Sequence, residues 1–275
     1  MVDILIPTFN GAKYLDAQLQ SIFNQDYKFW RIILRDDGSS DNTREIIAYW
    51  KNIYPEQIQE LTDGKKGLGV SQSYGYLISK SEAPYIMLCD QDDYWHPQKI
   101  SKSLQAIQTA EKEFGKSLAI MVCSDLEIVD SDLKLVSPSF WKDRNDDPRL
   151  LNDFEKLIAH SVVTGNTIML NKSAAILVIP VKTNFFLFDQ WISIKVARYG
   201  KIIFIDEPLV KYRQHSSNVL GSFRMSKTYL FHKVKFFPFY IRSWIKLKKE
   251  LDMDFSVGKV LGFKILYNLR KAINA

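Results

Sequence analysis

Cysteine is scarce in this sequence. Only two of the 275 residues are cysteines, Cys89 and Cys123, and both lie in apolar runs. Two cysteines are too few for a disulfide-stabilised scaffold or for a cysteine-rich zinc module. We therefore interpret both as small core residues of a protein that works in a reducing compartment.

Long hydrophobic runs are also missing. No stretch approaches the roughly 18–20 consecutive apolar residues that a helix needs to cross a bilayer. Residues 1–7 contain no basic segment, and their apolar run is too short for a signal peptide. The sequence therefore predicts a cytoplasmic protein that is at most peripheral on the inner face of the cell membrane.

The composition is that of a folded globular protein, with 46% hydrophobic and 25% charged residues. The net charge of +6 is unevenly distributed, because residues 221–275 carry twelve basic side chains against three acidic ones. The rest of the chain is slightly acidic. This difference separates the C-terminal segment from the rest of the chain.

Short apolar runs alternate with helical patterns in the first half of the chain. Strands are predicted at residues 2–9, 30–35, 58–62 and 85–89, and helices follow them at 11–25, after 42, at 70–79 and from 97 to about 114. This alternation predicts an α/β fold with a parallel sheet covered by helices on both faces. Further on, strands are predicted at 118–129, 164–170 and 201–213, a helix at 186–199, and a loop over the site at 137–153.

Polar clusters follow three of the predicted strands directly. They are Thr8-Phe9-Asn10, Asp36-Asp37 and Asp90-Gln91-Asp92-Asp93. Ligands of such sheets bind beyond the carboxyl ends of the strands, so we expect the three clusters to line one crevice.

The third cluster places three carboxylates within four residues. Their mutual repulsion has to be offset by a cation or by hydrogen-bond donors. Mg²⁺ or Mn²⁺ would do this with oxygen ligands and would also bind a diphosphate. The alternative is a solvated turn that caps the helix at Pro97. Asp37 is similarly open: it either belongs to a turn and helix cap or accepts hydrogen bonds from a base or ribose.

Taken together, the motifs resemble a known family. Residues 4–10, 36–41 and 90–95 resemble, in order and spacing, the inverting glycosyltransferases of family two. Residues 164–167, 188–191 and 212–221 resemble the rhamnosyltransferase-like branch of that family. The resemblance covers residues 2 to about 221. It implies a GT-A (nucleotide-diphospho-sugar transferase) fold with a mostly parallel central sheet flanked by helices. Residues 1–221 would form the catalytic domain, and residues 222–275 a basic, aromatic, helical C-terminal extension.

The family assigns several of these positions to the nucleotide-sugar donor. The implied donor-binding residues are Pro7, Thr8, Phe9, Asn10, Asp37, Lys66, Gly67, Asp90, Gln91 and Arg213. Asp92 and His215 would hold a divalent cation, Mn²⁺ or Mg²⁺, at the diphosphate. The loop that contains Lys66 and Gly67 could equally be a solvated turn, and His215 could be a structural group. Asp93 is either a second ligand or a helix cap.

The family also implies a catalytic base after the Thr-Gly motif. Asp189 matches that position, although a plain helix cap is the alternative. Family members often have two acidic residues there, whereas this chain has Phe188 before Asp189. The implied acceptor-binding residues are Trp95, Thr164, Gly165, Gln190 and Trp191.

The basic C-terminal segment interleaves aromatic and aliphatic residues with Lys and Arg. This mixture favours an anionic membrane surface, with a domain-capping helical pair or a nucleic-acid patch as alternatives. We expect the membrane and no nucleic acid, because a lipid-linked acceptor would explain the attachment.

The sequence therefore predicts an inverting, metal-dependent hexosyltransferase. Its donor would be dTDP-rhamnose in preference to a UDP-hexose, and its acceptor a cell-surface polysaccharide or lipid-linked saccharide. One alternative is a sugar-nucleotide nucleotidyltransferase, although residues 7–11 lack the glycine-rich phosphate loop of such enzymes. The other is a non-catalytic nucleotide-binding or membrane scaffold.

Overall fold

The first strands are rich in large apolar residues because both faces of the sheet are covered. The computed structural model describes residues 1–181, 187–215, 237–250 and 254–273. In it, strand β1 (Val2–Thr8) pairs in parallel with β2 (Trp30–Asp36) and β4 (Tyr85–Leu88), and β2 pairs in parallel with β3 (Ile58–Glu60). The parallel pairing predicted for this half is confirmed.

Helices connect these strands. They are α1 (Leu15–Phe23), α2 (Thr43–Ile53), α3 (Val70–Lys80) and α4 (Lys99–Phe114). Each begins within a few residues of its predicted start except α1, which begins four residues later because residues 11–14 form a turn.

The second half extends the same sheet with antiparallel pairs. Its strands are β5 (Tyr94–Trp95), β6 (Ala119–Val129), β7 (Leu135–Ser137), β8 (Met169–Asn171) and β9 (Gly200–Arg213). The order is β3-β2-β1-β4-β8-β6-β9-β5, with β7 on β6. Strand β8 is antiparallel to both neighbours, whereas β6 and β9 are parallel. The sheet of the described residues is therefore mixed.

Two predictions for this half are wrong in detail. Residues 137–153, predicted as a loop, contain α5 (Phe140–Asp143) and the 3-10 helix Pro148–Asn152. Phe140 and Trp141 are buried, and these two aromatic side chains fix the segment against β6. Of the strand predicted at 164–170, the first part is the 3-10 helix Gly165–Thr167, and β8 starts only at Met169.

The core lies on both faces of the sheet. The alternation of side chains along β1 places Ile4 and Ile6 in one apolar cluster and Leu5 in the other. The cluster around Leu5 is closed by α6 (Phe154–Ala159), α7 (Lys172–Val178) and α8 (Phe188–Tyr199). The helix predicted at 186–199 corresponds to α8. Leu187 precedes the helix, and residue 186 lies outside the described part of the chain.

The C-terminal extension contains α9 (Phe237–Glu250) and α10 (Val257–Ile273). Trp244, Leu247 and Val260 are buried in the core cluster that contains Leu5. The Nζ of Lys264 donates to the carbonyl oxygen of Ala159 at 2.6 Å and ties α10 to α6. The predicted domain boundary at 221/222 lies outside the described residues.

Within the described residues, no helix has the length and apolarity that a membrane span requires.

Candidate active site

The loop after β1 is held by the turn that follows β2. The Thr8 Oγ1 donates to Asp36 Oδ1 at 3.0 Å, and the Asn10 backbone N–H donates to Ser39 Oγ at 2.9 Å. Asn10 has a positive φ of 48°, and its side-chain oxygen accepts from the Ser40 N–H at 2.8 Å. Asp36 therefore helps to hold the loop after β1 in place. Pro7, Thr8, Phe9 and Asn10 do lie at the carboxyl end of β1, as predicted.

Asp37 is buried and holds the glycine loop of residues 63–69. Its carboxylate accepts from Arg35 Nη1 at 2.7 Å and from the backbone N–H groups of Leu68 and Gly69 at 2.9 and 2.8 Å. Burial raises the pKa of Asp37, but these donors offset burial and leave the pKa below its ordinary value. The role predicted for Asp37 at a nucleotide base stays a prediction.

The glycine loop itself packs on the turn after β2. The side chain of Lys66 lies so close to Gly38 that a Cβ on residue 38 would be 3.0 Å from the Lys66 Cβ. Gly67 has a φ of 68°, which favours glycine. Lys66 and Gly67 thus border the turn that contains Asp37, and their contact with a donor stays a prediction.

Asp90 is buried at the end of β4. The Tyr74 hydroxyl donates to its Oδ1 at 2.8 Å. Burial, together with the charges of Asp92 and Asp189, raises the pKa of Asp90 to about 7, against the hydrogen bond from Tyr74, which lowers it. Asp90 and Asp189 are 99 positions apart in the sequence, yet they are close enough for their charges to interact.

Gln91 joins the acidic cluster to the loop after β1. Its Oε1 accepts from the Phe9 N–H at 2.9 Å, and its Nε2 donates to the Phe9 carbonyl at 3.0 Å. A Cβ on residue 11 would lie 2.3 Å from the Gln91 Oε1, so a larger residue there would have to displace the Gln91 side chain. Gln91 therefore shapes the region predicted to bind the donor through the backbone of Phe9.

Asp93 links three segments and is fully buried. Its Oδ1 accepts from the Arg213 backbone N–H at 3.0 Å, and its Oδ2 accepts from the Asn166 side chain. Burial, followed by the charges of Asp92 and Asp90, raises the pKa of Asp93 well above its usual range. Both oxygens thus have protein partners. The helix-cap alternative for Asp93 is wrong, because α4 begins only at Lys99, and the role of second metal ligand stays a prediction.

Asp92 lies beside the two basic residues at the end of β9. The Nε2 of His215 is 2.9 Å from Asp92 Oδ2, and Arg213 Nε donates to the Asp92 carbonyl at 2.9 Å. The structure thus brings together Asp92, Arg213 and His215. Residues 216–221 of the same predicted motif lie outside the described residues.

The groups at Asp92 fit the predicted divalent cation. A carboxylate oxygen and an imidazole nitrogen lie side by side, and both are ligands of Mn²⁺. Among the described residues, no three His, Cys, Asp or Glu side chains come together as a metal-binding group. Mg²⁺ is commonly held by one or two carboxylates together with substrate phosphates and water, so two protein groups suffice for such a site.

Asp189 lies in the first turn of α8 and is 8% exposed. Its Oδ1 accepts from the Gln190 backbone N–H at 2.6 Å. Burial raises the pKa of Asp189 to about 6, although backbone hydrogen bonds from Gln190 and Gly165 partly offset it. The carboxyl group thus combines a helix-terminal position with the raised pKa of a buried acid.

The predicted acceptor residues do not share one environment. Trp95 is completely buried, and Trp191 is 2% exposed with its Nε1 donating to the Val178 carbonyl. An acceptor cannot reach side chains that are this buried, so the acceptor contacts predicted for Trp95 and Trp191 are wrong. Both tryptophans belong to the core, which the aromatic-plus-acid motif does not reveal.

The other three predicted acceptor residues, Thr164, Gly165 and Gln190, lie in or near α8. Gln190 donates to the carbonyl oxygens of Leu157 and Ile158 at 3.2 Å. The Thr164 carbonyl accepts from Thr167, and Gly165 packs against Phe188. Contacts of Thr164, Gly165 and Gln190 with an acceptor stay predictions.

Three residues of the site carried no signal in the sequence. Tyr74 lies on an ordinary apolar helix face, Arg35 within a strand, and Tyr14 before α1. Asn166 belongs to one of the motifs that resemble the family. Its side chain donates to Asp93, and this hydrogen bond explains why an asparagine suits that position.

The comparisons with known proteins agree with this geometry. The model of "Glycosyl transferase family 2" matches residues 3–176. An uncharacterised glycosyltransferase of Nostoc sp. is 25% identical over 228 residues, which are 79% of this chain and 66% of that protein. The teichuronic acid biosynthesis glycosyltransferase TuaG of Bacillus subtilis is 25% identical over 105 residues, 38% of this chain and 41% of TuaG. The chain therefore spans two thirds or less of these two relatives.

Solved structures share the fold. S. aureus TarS in complex with UDP-GlcNAc superimposes with a TM-score of 0.60 at 14% identity, covering 96% of this chain and 70% of that chain. A mannosyltransferase of Pyrobaculum calidifontis in complex with GDP-Man and Mn²⁺ gives a TM-score of 0.62 at 13% identity, covering 89% and 64%. The predicted GT-A fold is confirmed. Since the family model covers more than half of its length, the chain belongs to glycosyl transferase family 2.

Proposed function

We propose that this protein is an inverting glycosyltransferase that moves a sugar from a nucleotide-sugar donor to a saccharide hydroxyl. The observation that carries the proposal is the buried Asp189 carboxyl, whose pKa burial raises to about 6, close to the acidic cluster of residues 90–93. A base for neutral pH works best with a pKa near the working pH. A pure nucleotide-binding protein has no need of such a group.

The donor would lie across the carboxyl ends of β1, β2 and β4. Here the loop of residues 7–10, the Asp37 turn, Asp90 and Arg213 border one region, joined by the Gln91 clamp on Phe9. The likeness to the rhamnosyltransferase-like branch favours dTDP-rhamnose. UDP in the TarS complexes supports a UDP-hexose as the alternative.

Asp92 and His215 would hold the divalent cation. A bound Mn²⁺ or Mg²⁺ would stabilise the negative charge that develops on the leaving nucleoside diphosphate. Arg213 would add a fixed positive charge on the same side, since its Nε is already oriented towards the Asp92 carbonyl.

Asp189 would accept the proton of the attacking hydroxyl. Its Oδ1 is engaged by the Gln190 N–H, and this bond fixes the orientation of the carboxylate. Attack on the anomeric carbon from the side opposite the diphosphate inverts the configuration, and the proton moves to Asp189 as the new bond forms. The acceptor would be a cell-surface polysaccharide or lipid-linked saccharide, which the name of TuaG supports.

The outer face of α9 and α10 would attach the protein to an anionic membrane surface. Phe239 is 54% exposed and Leu266 68% exposed, and Ile245 and Leu269 are exposed as well. Exposed basic residues accompany them on these helices: Arg242, Lys246, Lys249, Lys259 and Arg270. The sequence of α10 contains no acidic residue. Apolar side chains mixed with cations suit the headgroup region of anionic lipids.

The buried side chains of α9 and α10 contribute to folding, whereas their exposed side chains are available for membrane attachment, so the two roles can be tested separately. Removing the whole extension would expose the core contacts of Trp244, Leu247 and Val260, so truncation would not test the membrane. Point changes on the outer face are better: Phe239→Ser with Ile245→Ser in one variant, and Arg242→Gln with Lys249→Gln in another.

Co-sedimentation with phosphatidylglycerol–phosphatidylcholine vesicles measures the attachment. Wild type should bind at low salt and less at high salt, and both variants should bind much less. Ile176→Ser is the control, because Ile176 is an exposed apolar residue on α7. Equal binding by wild type and both variants would rule out this surface.

The proposed reaction is tested by a panel of nucleotide-sugars. Thermal shift reports binding, because a ligand of the native state raises Tm by an amount that grows with the logarithm of its concentration divided by Kd. Donor hydrolysis with and without Mn²⁺ then reports chemistry. Metal-dependent release of a nucleoside diphosphate supports the proposal, release of pyrophosphate from a nucleoside triphosphate and a sugar phosphate indicates a nucleotidyltransferase, and binding without turnover indicates a scaffold.

A further inference from the structure

Tyr14 contacts both basic residues at the end of β9. Its ring centroid is 4.8 Å from that of the His215 imidazole, and the two ring planes are 28° apart. The guanidinium carbon of Arg213 lies 4.5 Å from the same centroid. Tyr14 is 9% exposed and directly precedes α1. It ends the turn of residues 11–14, which follows the loop after β1. One aromatic ring therefore joins the loop after β1 to the end of β9.

The same two basic residues contact Asp92. His215 Nε2 lies 2.9 Å from Asp92 Oδ2, and Arg213 Nε donates to the Asp92 carbonyl at 2.9 Å. Tyr14 thus contacts the groups that contact Asp92. Stacked rings and a cation over a ring restrict the rotation of the partner side chains.

We propose that Tyr14 is a positioning residue, whose ring orients His215 and Arg213 towards Asp92 and so prepares the site for a divalent cation and a diphosphate. The proposal rests on the proposed function, because it places the diphosphate at Asp92. Tyr14 itself touches neither ligand in this account.

The tyrosine hydroxyl takes no part in this role. It is buried and has no hydrogen-bond partner among the described residues. Replacing an unsatisfied buried hydroxyl by hydrogen is close to neutral or stabilising. Tyr14→Phe therefore keeps the ring contacts, whereas Tyr14→Leu removes them and leaves an apolar residue. Tyr14→Met is a second non-aromatic variant in case the leucine variant does not fold.

The first measurement needs no metal and no nucleotide. The chain has four histidines, so the imidazole signals in a ¹H–¹³C spectrum of the full chain can be assigned to His215 with His215→Gln. A stacked ring shifts the signals of its neighbour. We expect Tyr14→Phe to keep the His215 shift and Tyr14→Leu or Tyr14→Met to lose it.

The second measurement is the affinity for UDP and for dTDP, each with Mn²⁺, by calorimetry. We expect Tyr14→Phe to bind like wild type and the non-aromatic variants to bind about 3- to 10-fold more weakly, as befits the loss of a cation–aromatic contact and a stack. In the His215→Gln background the part of this loss that acts through the imidazole should disappear, and only the part that acts through Arg213 should remain. Tyr54→Leu is the control, since it removes a similar stack on Trp50 at the end of α2.

The outcomes separate the two claims. Wild-type affinity in Tyr14→Leu or Tyr14→Met, an equal loss in Tyr14→Phe, or a full loss that persists in His215→Gln would overturn the positioning role. If wild type binds neither nucleotide with Mn²⁺, the proposed metal–diphosphate site fails instead. In that case the NMR measurement still tests Tyr14. An unchanged His215 shift in the non-aromatic variants overturns the role of Tyr14, and a changed shift supports the claim that Tyr14 orients His215.

Discussion

The ring of Phe188 occupies the space beside Gly165 where a side chain would be. A Cβ on residue 165 would lie 2.3 Å from the Phe188 Cζ, well inside van der Waals contact. The same ring stacks on Tyr74, with centroids 4.4 Å apart, and Tyr74 in turn donates to Asp90. Glycine at 165 thus sets the position of the residue before Asp189.

Gly165→Ala should therefore reduce transfer. The added methyl group has to push the Phe188 ring away, and Asp189 moves with it. A displacement of about 1 Å at a catalytic group can cost on the order of 100-fold in rate. Donor affinity should fall less than transfer, because the Phe188 ring reaches the donor-binding Asp90 only through Tyr74. Gly262→Ala is the matched control, since a Cβ there meets no atom within 4 Å. Wild-type transfer by Gly165→Ala would contradict this reading of the Gly165–Phe188 contact.

Tyr74→Phe should shift the pH dependence of nucleotide binding. The Tyr74 hydrogen bond lowers the pKa of Asp90, which burial raises to about 7. Without the hydroxyl this pKa rises further, so less of the carboxyl is ionised at neutral pH. We expect binding of UDP to weaken by about 3- to 10-fold at neutral pH, which corresponds to the loss of about 1 kcal/mol from one typical hydrogen bond, and to recover at alkaline pH.

Calorimetry across this pH range checks the prediction, with Tyr49→Phe as the control because Tyr49 is exposed on α2. A pH profile identical to that of wild type would show that Tyr74 does not tune Asp90.

Asp189→Asn should change the pH dependence of stability. Burial raises the pKa of Asp189 in the folded protein to about 6 from an ordinary 3.8. The contribution of this carboxyl to stability is therefore fully present below about pH 4 and is lost as the pH rises through about 6. Asparagine does not ionise. The free energy of unfolding of the variant relative to wild type should thus rise by about 2–3 kcal/mol between pH 4 and pH 8.

Urea denaturation at several pH values measures this difference. Asp206→Asn, at an exposed position of β9, should show no such trend. A difference between Asp189→Asn and wild type that does not depend on pH would refute the raised pKa.

Arg35→Met should destabilise the protein and release the glycine loop. Arg35 is buried, and its guanidinium donates to Asp37 at 2.7 Å and to Asp63 at 3.0 Å. Removing one partner of a buried ion pair costs about 3–5 kcal/mol, because a charge is left unpaired. Denaturation should show this loss, and proteolysis should begin within residues 63–69. Arg44→Met is the control, because the Arg44 side chain is half exposed in its pair with Asp36. Equal effects of the two substitutions would contradict the account of the loop.

The sequence predicted the strands near the site because they are short and rich in large apolar residues. Residues 85–89 and 30–35 indicated buried strands, and the acids that follow them were then expected at one sheet edge. The pairing of β8 could not be predicted, because three residues between helices carry no signal of strand direction. Residues 137–153 look polar in composition, and the burial of Phe140 and Trp141 depends on tertiary contacts.

Within the site, the contacts between side chains that are far apart in the sequence could not be predicted. The motif around Asp90 was visible, but not that Tyr74 donates to it or that Arg35 neutralises Asp37. Tryptophans beside acids looked like acceptor contacts, whereas Trp95 and Trp191 pack in the core. Sequence spacing identifies which residue types come together at a strand end. It does not show which of their atoms are already used by the protein.

The central claim is that Asp189 takes the proton of the acceptor hydroxyl. The most direct test compares sugar transfer by wild type and Asp189→Asn, with donor affinity measured on the same preparations. Asparagine keeps the size of the side chain and an oxygen that can accept from the Gln190 N–H, so the fold and donor affinity should be preserved. We expect transfer to fall by about 10²–10⁴-fold, the usual contribution of general base catalysis. A folded variant that binds the donor and transfers sugar at a rate close to wild type would contradict the claim.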